Sequence, residues 1–223
     1  MRNRICYNCG NDHADTAEHV IAKTLIPEPR PNNLITVPAC RNCNESFSTD
    51  EEYLRDRLSA VVAGADFEAP QTWDVAWRSM QRKEARGKKL GMFKDVLKLP
   101  AAVQTKDGPS DMAVKIDKQR ANRVIEKMIR GFYFYHFKKP LGEVIVQADI
   151  LSSINPKGNR KVVMELIEKL YKSPTWAQNF GSDTHVVCGL AEEDDRAGLW
   201  SFKLFGQHII VAVVTPECYF VKT

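Results

Sequence analysis

The sequence predicts an α+β protein, and three features of the chain point to this class. Near the N-terminus, two Cys-x2-Cys pairs enclose short stretches rich in β-branched and apolar residues. After the second pair, apolar residues recur at helical spacing. Toward the C-terminus, apolar runs separated by Gly and Asp turns predict a mainly antiparallel sheet.

The overall composition is that of an ordinary globular protein. Of the 223 residues, 43% are hydrophobic and 27% are charged, which is close to the average of soluble domains. No apolar run approaches the roughly 18 residues that a membrane span needs, and the first residues lack the apolar stretch of a signal peptide. Free thiols suit a reducing compartment, so we expect a cytoplasmic protein with no membrane partner. The net charge of +4 permits a nucleic-acid partner without requiring one.

The two cysteine pairs have the spacing of a four-thiolate zinc site. A gap of two residues lets one tight turn present both sulfurs to a tetrahedral ion, and the second pair closes the far end of the intervening loop. The sequence therefore predicts a structural Zn²⁺ held by Cys6, Cys9, Cys40 and Cys43.

The loop between the pairs carries groups that can bind a hard cation and activate water. They are Glu18 and His19, then Asn33, and finally Asn44 directly after the last cysteine. His13 and Asp15 are nearby alternatives for these roles.

The same stretch predicts the order strand, loop, strand, helix. A short extended segment follows Glu18, and the prolines between residues 27 and 31 forbid a helix. Leu34–Val37 reads as a second strand, and Thr49 with Glu52 forms the capping box of a helix. This is a ββα arrangement with the polar groups at its joints.

These elements together resemble the HNH endonucleases, whose fold is called ββα-metal. The family pattern is Cys-x2-Cys, an acid-His-Ile/Val step, Asn-Leu, and Cys-x2-Cys followed by His or Asn. The matching residues are Cys6/Cys9, Glu18-His19-Val20, Asn33-Leu34 and Cys40/Cys43-Asn44. The resemblance covers about a quarter of the chain, and Asn44 stands where many members have His.

The resemblance implies hydrolysis of phosphodiester bonds, with DNA as the expected substrate and RNA left open. By this resemblance His19 is the general base. Glu18 and Asn44 would ligate a catalytic Mg²⁺ or Mn²⁺, and Asn33 would hold the loop so that the imidazole points at the attacking water. The biological setting that the resemblance implies is phage defence, restriction or a mobile element.

Positive charge is concentrated in one stretch. Between Arg78 and Lys98 there are eight Lys or Arg against only Glu84 and Asp95. We predict a phosphate-contacting strip here, anchored to the body by Trp73, Trp77 and Phe93; the alternative is an ordinary solvated face. The predicted contacts are Arg78, Arg82, Lys83, Arg86, Lys88 and Lys89.

We divide the chain into three parts: residues 1–65 form the HNH module with its zinc knuckle, 66–115 a basic helical or linker segment, and 116–223 a C-terminal α+β domain. The apolar stripe from Asp117 to Phe137 predicts a long helix, with its basic residues mostly on the opposite face. Those basic residues are Arg120, Arg123, Lys127 and Arg130. The remaining elements are predicted at 143–150 (strand), 160–171 (helix), 184–190, 199–205 and 208–214 (strands).

Two other functions remain open at this point. The chain could be a non-catalytic zinc-ribbon module that holds nucleic acid through the basic strip. It could also be a nuclease subunit that stays silent until a partner protein, for instance of a defence system, releases it. Cutting both strands of a duplex would favour a homodimer.

Overall fold

A computed structural model describes residues 4–11, 13–63, 71–98, 104–105, 108–109, 112–151, 160–206 and 208–219. In these ranges the chain is a mixed α+β protein with a five-stranded antiparallel sheet, as the sequence predicts. The three-part division of the chain stays a prediction, and its first boundary, at residues 65–66, lies outside the described residues.

The N-terminal part consists of a hairpin followed by two helices. Strands β1 (Thr16–His19) and β2 (Thr36–Ala39) pair antiparallel, with Glu18 opposite Val37 and His19 opposite Thr36. A short 3-10 turn, Lys23–Leu25, lies in their connection. Helices α1 (Arg41–Ser46) and α2 (Ser48–Ala63) follow directly. The predicted order of elements is therefore present, although both strands lie about two residues from their predicted positions.

The middle of the chain contains helices α3 (Gln71–Met80) and α4 (Arg86–Asp95), with a 3-10 turn, Lys83–Ala85, between them. Two short antiparallel pairs follow: β3 (Val96–Lys98) with β6 (Met112–Val114), and β4 (Gln104–Thr105) with β5 (Gly108–Pro109). Ala76, Met80 and Met92 form a small core of their own between the two helices. Neither short strand pair was predicted.

The C-terminal part opens with helix α5 (Lys118–Phe137). The side chain of Asp117 accepts hydrogen bonds from the backbone N–H groups of Gln119 and Arg120, which fixes the start of the helix. The helix ends at Lys138, which adopts a left-handed conformation. The long helix predicted from the apolar stripe is thus confirmed to within one residue.

The sheet of this part has the strand order β7-β11-β10-β9-β8, with every neighbouring pair antiparallel. Its elements, with the helix α6, are β7 (Val144–Leu151), α6 (Arg160–Lys172), β8 (Trp176–Phe180), β9 (Thr184–Leu190), β10 (Gly198–Leu204) and β11 (His208–Pro216). Edge strand β8 was missed because its sequence, Trp-Ala-Gln-Asn-Phe, does not alternate between apolar and polar residues, and because Ala and Asn are uncommon in strands.

The sheet is covered by a helix on each face. On one face, Phe132 of α5 lies 4.9 Å from Trp176 and 6.2 Å from Trp200, measured between ring centroids. On the other face, Ile167 and Leu170 of α6 are buried. The α6 side chains reach β9, where Tyr171 and His185 meet edge to face.

Helix α5 also packs against the N-terminal hairpin. A Cβ atom added at Gly131 would lie 2.9 Å from both methyl groups of Val20, so only glycine allows the helix to approach this closely. One hydrophobic cluster consequently contains side chains of the hairpin, of α2, of α5 and of the large sheet. None of the helices in the described ranges has the length and apolarity that crossing a bilayer requires.

Candidate metal centre and active site

The four predicted cysteines come together in space. The sulfur atoms of Cys6, Cys9, Cys40 and Cys43 all lie within 4.8 Å of one another, and those of Cys9 and Cys40 are 3.9 Å apart. A tetrahedral ion with four Zn–S bonds of about 2.3 Å requires sulfur separations of roughly 3.8 Å. The prediction of a metal-binding cysteine cluster is therefore confirmed, and its dimensions fit zinc.

Local hydrogen bonds hold both cysteine turns on the hairpin. Gly10 adopts a left-handed conformation and donates its N–H to the carbonyl of Cys6, which closes the first turn. Tyr7 donates its backbone N–H to the carbonyl of Pro38 in β2. The second pair lies at the start of α1, where the N–H of Asn44 reaches the carbonyl of Cys40. The sulfurs are thus brought together by backbone structure.

The surroundings of the sulfurs favour the thiolate form at Cys6 and disfavour it at Cys43. Burial acts to raise the pKa of Cys6, but hydrogen bonds from backbone groups of Cys9, Cys40 and Asn8 bring it down to about 7. Burial raises the pKa of Cys43 to about 12, although the side-chain amide of Asn8 donates to its sulfur over 3.4 Å. A bound cation is what would hold four thiolates together here, so metal binding should release protons.

Glu18 lies in a buried ion-pair cluster. Its side chain is 6% exposed, and its Oε1 accepts a hydrogen bond from Lys127 Nζ over 2.6 Å. The same ammonium donates to Glu51 Oε1 over 2.6 Å and to the carbonyl of His19 over 2.7 Å. Burial raises the pKa of Glu18, while the Lys127 charge acts in the opposite direction. Glu18 is therefore already paired with a protein cation.

His19 occupies the end of β1 and is half-buried. Its imidazole makes no hydrogen bond to any described residue. Burial lowers the pKa of His19, and the positive charges of Lys23, Lys127 and Arg30 lower it further. These surroundings favour the neutral imidazole, which is the form that a general base requires.

The two asparagines have defined partners. Asn33 donates from Nδ2 to the carbonyl of Asn179 in edge strand β8 over 2.8 Å, so it ties the loop between β1 and β2 to the large sheet. Asn44 donates from Nδ2 to Thr16 Oγ1 over 3.0 Å, so it ties α1 to the start of β1. The roles of Asn33 in orienting His19 and of Asn44 as a ligand stay predictions.

The hairpin divides the predicted catalytic residues between its two faces. Side chains alternate along a strand, so Thr16 and Glu18 face the core while His19 shares the more exposed face with Thr36. Asn44 joins the Glu18 side through its bond to Thr16. Of the alternatives, Asp15 accepts a hydrogen bond from the N–H of Arg41, and His13 is exposed.

A cleft of about 520 Å³ opens beside the cysteine cluster, between the first cysteine turn, the α1–α2 junction and α5. Its walls include Asn8, Cys9, Phe47, Arg123 and Arg130. Both arginines are bound within the protein: Arg123 donates to Asp50, and Arg130 donates to Glu126. His19 is not among the cleft residues, so we do not assign the catalytic chemistry to this cleft.

The structure shows the surroundings of Lys88 and of two aromatic residues in the basic strip, while the phosphate contacts themselves stay predictions. Lys88 lies 2.6 Å from Glu52 and 2.9 Å from Asp56, so it belongs to an internal ion-pair cluster. Trp77 and Phe93, expected to anchor the strip to the body, are instead exposed by 40% and 57%. Apolar character alone predicted burial, but α3 and α4 bury a different side, formed around Ala76, Met80 and Met92.

The other five predicted contacts are all on the surface or half-buried. Lys89 lies 5.4 Å from the Trp77 ring centroid, and Arg78 donates to the carbonyl of Asp74. Arg82, Lys83 and Arg86 are exposed and form no ion pair with any described residue. Whether they contact phosphate stays a prediction.

Sequence reasoning missed the residues around Glu18. Lys127 was grouped with the basic residues that lie mostly opposite the apolar stripe of α5, yet its side chain is buried. Glu51 completes the cluster around the Lys127 ammonium. The buried hydroxyl of Tyr7 has no hydrogen-bond partner among the described residues. The only available signal was indirect: a buried Glu18 needs a cation, and α5 is rich in them.

No family model matches this chain, and neither a curated protein nor a solved structure matches it. What the fold and the site define is an α+β protein with a cysteine cluster able to bind a metal ion.

Proposed function

We propose that the chain is a metal-dependent HNH-type endonuclease that hydrolyses phosphodiester bonds, most readily those of DNA. The observation that carries the proposal is the arrangement of one short unit. A cysteine cluster holds a β-hairpin with a helix directly after it, and the first strand ends in a half-buried histidine whose surroundings lower its pKa.

In this proposal His19 takes a proton from the attacking water. Its lowered pKa supports the role, because an imidazole that stays neutral at pH 7 is available as a base. The cysteine cluster has a scaffolding role, since four thiolates around zinc leave no open coordination position. A defence or mobile-element nuclease is the setting we propose.

A catalytic Mg²⁺ or Mn²⁺ belongs to the same proposal. Asn44 would hold it through its amide oxygen and Glu18 through a carboxylate oxygen, and the ion would supply Lewis-acid stabilisation of charge on the scissile phosphate. Asn44 fits this role, because only its Nδ2 is bonded to a described residue. Glu18 fits less well, because Lys127 already neutralises its carboxylate.

The pairing of Glu18 with Lys127 favours a second candidate function, a non-catalytic zinc module that binds nucleic acid. If Glu18 serves only to receive the Lys127 ammonium, Asn44 of α1 is the one proposed ligand that remains for a catalytic ion. The chain would then act only by binding nucleic acid, through the basic residues of α3 and α4.

The test is the nicking of supercoiled plasmid by the zinc-loaded chain, with no divalent ion added, with Mg²⁺ and with Mn²⁺. A chelator is used only to stop the reaction, because it would also strip the cysteine cluster. His19→Ala is compared with His185→Ala, a matched control whose half-buried imidazole lies on β9 of the large sheet.

Metal-dependent nicking that disappears in His19→Ala and persists in His185→Ala would support the nuclease. Plasmid binding without nicking in any metal would support the second candidate. Nicking that appears only when co-purifying proteins are restored would identify a subunit that a partner activates. Equal nicking by both histidine variants would contradict the assignment of His19 as the base.

A further inference from the structure

Helices α3 and α4 expose large apolar side chains. Trp77 is 40% exposed, Leu90 is 52% exposed and Phe93 is 57% exposed. Single exposed apolar residues are common on protein surfaces, but several neighbouring ones mark binding surfaces. A large fraction of each of these three side chains is therefore open to solvent.

Basic side chains lie beside these exposed apolar residues on α3 and α4. Lys89 Nζ lies 5.4 Å from the ring centroid of Trp77, so it connects α3 with α4. On α4, residues three or four positions apart share a face. We call this region the α3–α4 surface, and it consists of Trp77, Arg86, Lys89, Leu90, Phe93 and Lys94.

The Trp77 ring has an aromatic neighbour on the same helix, α3. The ring of Trp73, which is half-buried against the small core, lies 5.9 Å from it at an angle of 32°. A ring supported in this way loses little conformational entropy when a ligand stacks on it.

Positive charge is concentrated around this surface. Residues 71–98 contain eight Lys or Arg and three Asp or Glu, a formal charge of +5, which exceeds the +4 of the whole chain. Arg86 and Lys94 form no ion pair with any residue in the described ranges. A polyanionic ligand is therefore the one that complements the surface.

We propose that the α3–α4 surface binds single-stranded nucleic acid, with unpaired bases stacking on Trp77 and Phe93 and with Arg86, Lys89 and Lys94 contacting the phosphates. A duplex stacks its bases on one another and presents phosphates, which would leave two aromatic rings without a role. A single strand offers flat base faces and phosphates alternately, and this matches rings interleaved with cations.

This inference deepens the proposed function, because it rests on nucleic acid being the substrate and names its single-stranded form. A nuclease with such a surface would hold an unpaired stretch, such as a displaced strand, beside the hairpin module. The exposed apolar residues leave an anionic membrane as the competing ligand, and the test includes it.

The experiment measures the fluorescence anisotropy of a labelled mixed-sequence oligonucleotide, single-stranded and as the matching duplex, with the zinc-loaded full chain and no Mg²⁺. Trp77→Ala and Phe93→Ala should each weaken single-strand binding by about fivefold or more, the cost of losing one stacked base, and should leave duplex binding nearly unchanged. Lys89→Gln should weaken both, and more so at low salt. Tyr219→Ala, which removes an exposed ring at the far end of the chain, is the matched control.

Equal affinity for the two nucleic acids, or loss of duplex binding in step with single-strand binding in Trp77→Ala, would overturn the stacking proposal. Binding to vesicles containing phosphatidylserine, with no binding to either nucleic acid, would overturn it in favour of a membrane surface. Thermal melting of each variant checks folding; if Trp77→Ala is unfolded, Phe93→Ala and Lys89→Gln still decide the question.

The result is independent of catalysis. Binding is measured without the catalytic ion, so its outcome does not depend on cleavage. If the chain binds single strands preferentially but does not cleave, this inference holds and the nuclease proposal fails. If the chain cleaves but binds single strands and duplexes equally, the nuclease proposal holds and this inference fails.

Discussion

The ammonium of Lys127 lies 2.6 Å from a carboxylate oxygen of Glu18, and both side chains are shielded from solvent. The two residues are separated by 109 positions in the chain. Glu51 is the second carboxylate on the same ammonium, at 2.6 Å. This contact joins helix α5 to the hairpin that carries His19, so the C-terminal part of the chain takes part in building the candidate active site.

Replacing Lys127 by Met should destabilise the protein strongly. Two carboxylates would lose their only shared cation inside the protein, and removing one partner of a buried ion pair typically costs about 3–5 kcal/mol. The free energy of unfolding, obtained from urea denaturation of the zinc-loaded chain, is the measurement. A loss below about 1 kcal/mol would mean that water reaches both carboxylates.

A triple variant, Lys127→Met with Glu18→Gln and Glu51→Gln, separates charge from packing. Neutral side chains of similar size do not need a buried cation, so most of the lost stability should return. If the triple variant is as unstable as the single one, the loss comes from the shape of the Met side chain and the electrostatic explanation is wrong.

The purified chain should contain one tightly bound Zn²⁺, and Cys43→Ser should lose it, as measured by mass spectrometry of the metal. Chelation should lower the melting temperature, since binding free energy at such a site contributes to folding. A loss of only about 3 kcal/mol lowers the melting temperature of a chain of this size by about 6–12 °C. Cys218→Ser, at an exposed cysteine outside the cluster, should keep both the metal and the melting temperature.

The parts of the fold that could be predicted are those encoded by local chemistry. Each Cys-x2-Cys turn brings its two sulfurs together through the backbone conformation of four consecutive residues. The apolar stripe of α5 follows from helical periodicity. Such signals need no knowledge of distant residues. The strands of the C-terminal sheet, except for β8, were likewise predicted from local apolar runs and the turn residues between them.

The parts that could not be predicted depend on contacts between distant residues. In the sequence alone, nothing distinguishes Lys127 from a solvent-exposed lysine, because Glu18 and Glu51 become its neighbours only in the folded chain. Trp77 and Phe93 read as buried anchors because hydropathy does not say which side of a helix pair faces the core. Both errors concern the direction in which a side chain points, which tertiary packing decides.

His208 should make the protein less stable in acid. Its imidazole is 5% exposed and bonds through Nε2 to the carbonyl of Leu58, and burial lowers the pKa of His208 despite that bond. The unfolded chain therefore takes up a proton more readily than the folded one. Stability is fully present above about pH 6.5, the ordinary pKa of histidine, and falls as the pH drops below it.

The measurement is the melting temperature of the unaltered chain and of His208→Gln at about pH 7.5 and pH 5.5, on either side of that pKa. Glutamine cannot titrate, so the variant should lose less stability on acidification. His19, His136 and His185 also have pKa values lowered by burial, but they are common to both proteins and cancel in the comparison. Identical acid sensitivity in the two proteins would show that His208 does not contribute.

Lys88 and Lys89 are neighbours in sequence and should behave in opposite ways. Lys88 bridges Glu52 and the fully buried Asp56, so Lys88→Ala should cost about 1–3 kcal/mol of unfolding free energy by leaving a buried carboxylate undersatisfied. Lys89 faces Trp77 at the surface, so Lys89→Ala should change stability by less than about 0.5 kcal/mol while weakening nucleic-acid binding. Urea denaturation and anisotropy on both variants give the two values. Loss of binding in a stable Lys88→Ala protein would return Lys88 to the phosphate-contacting strip and contradict its structural assignment.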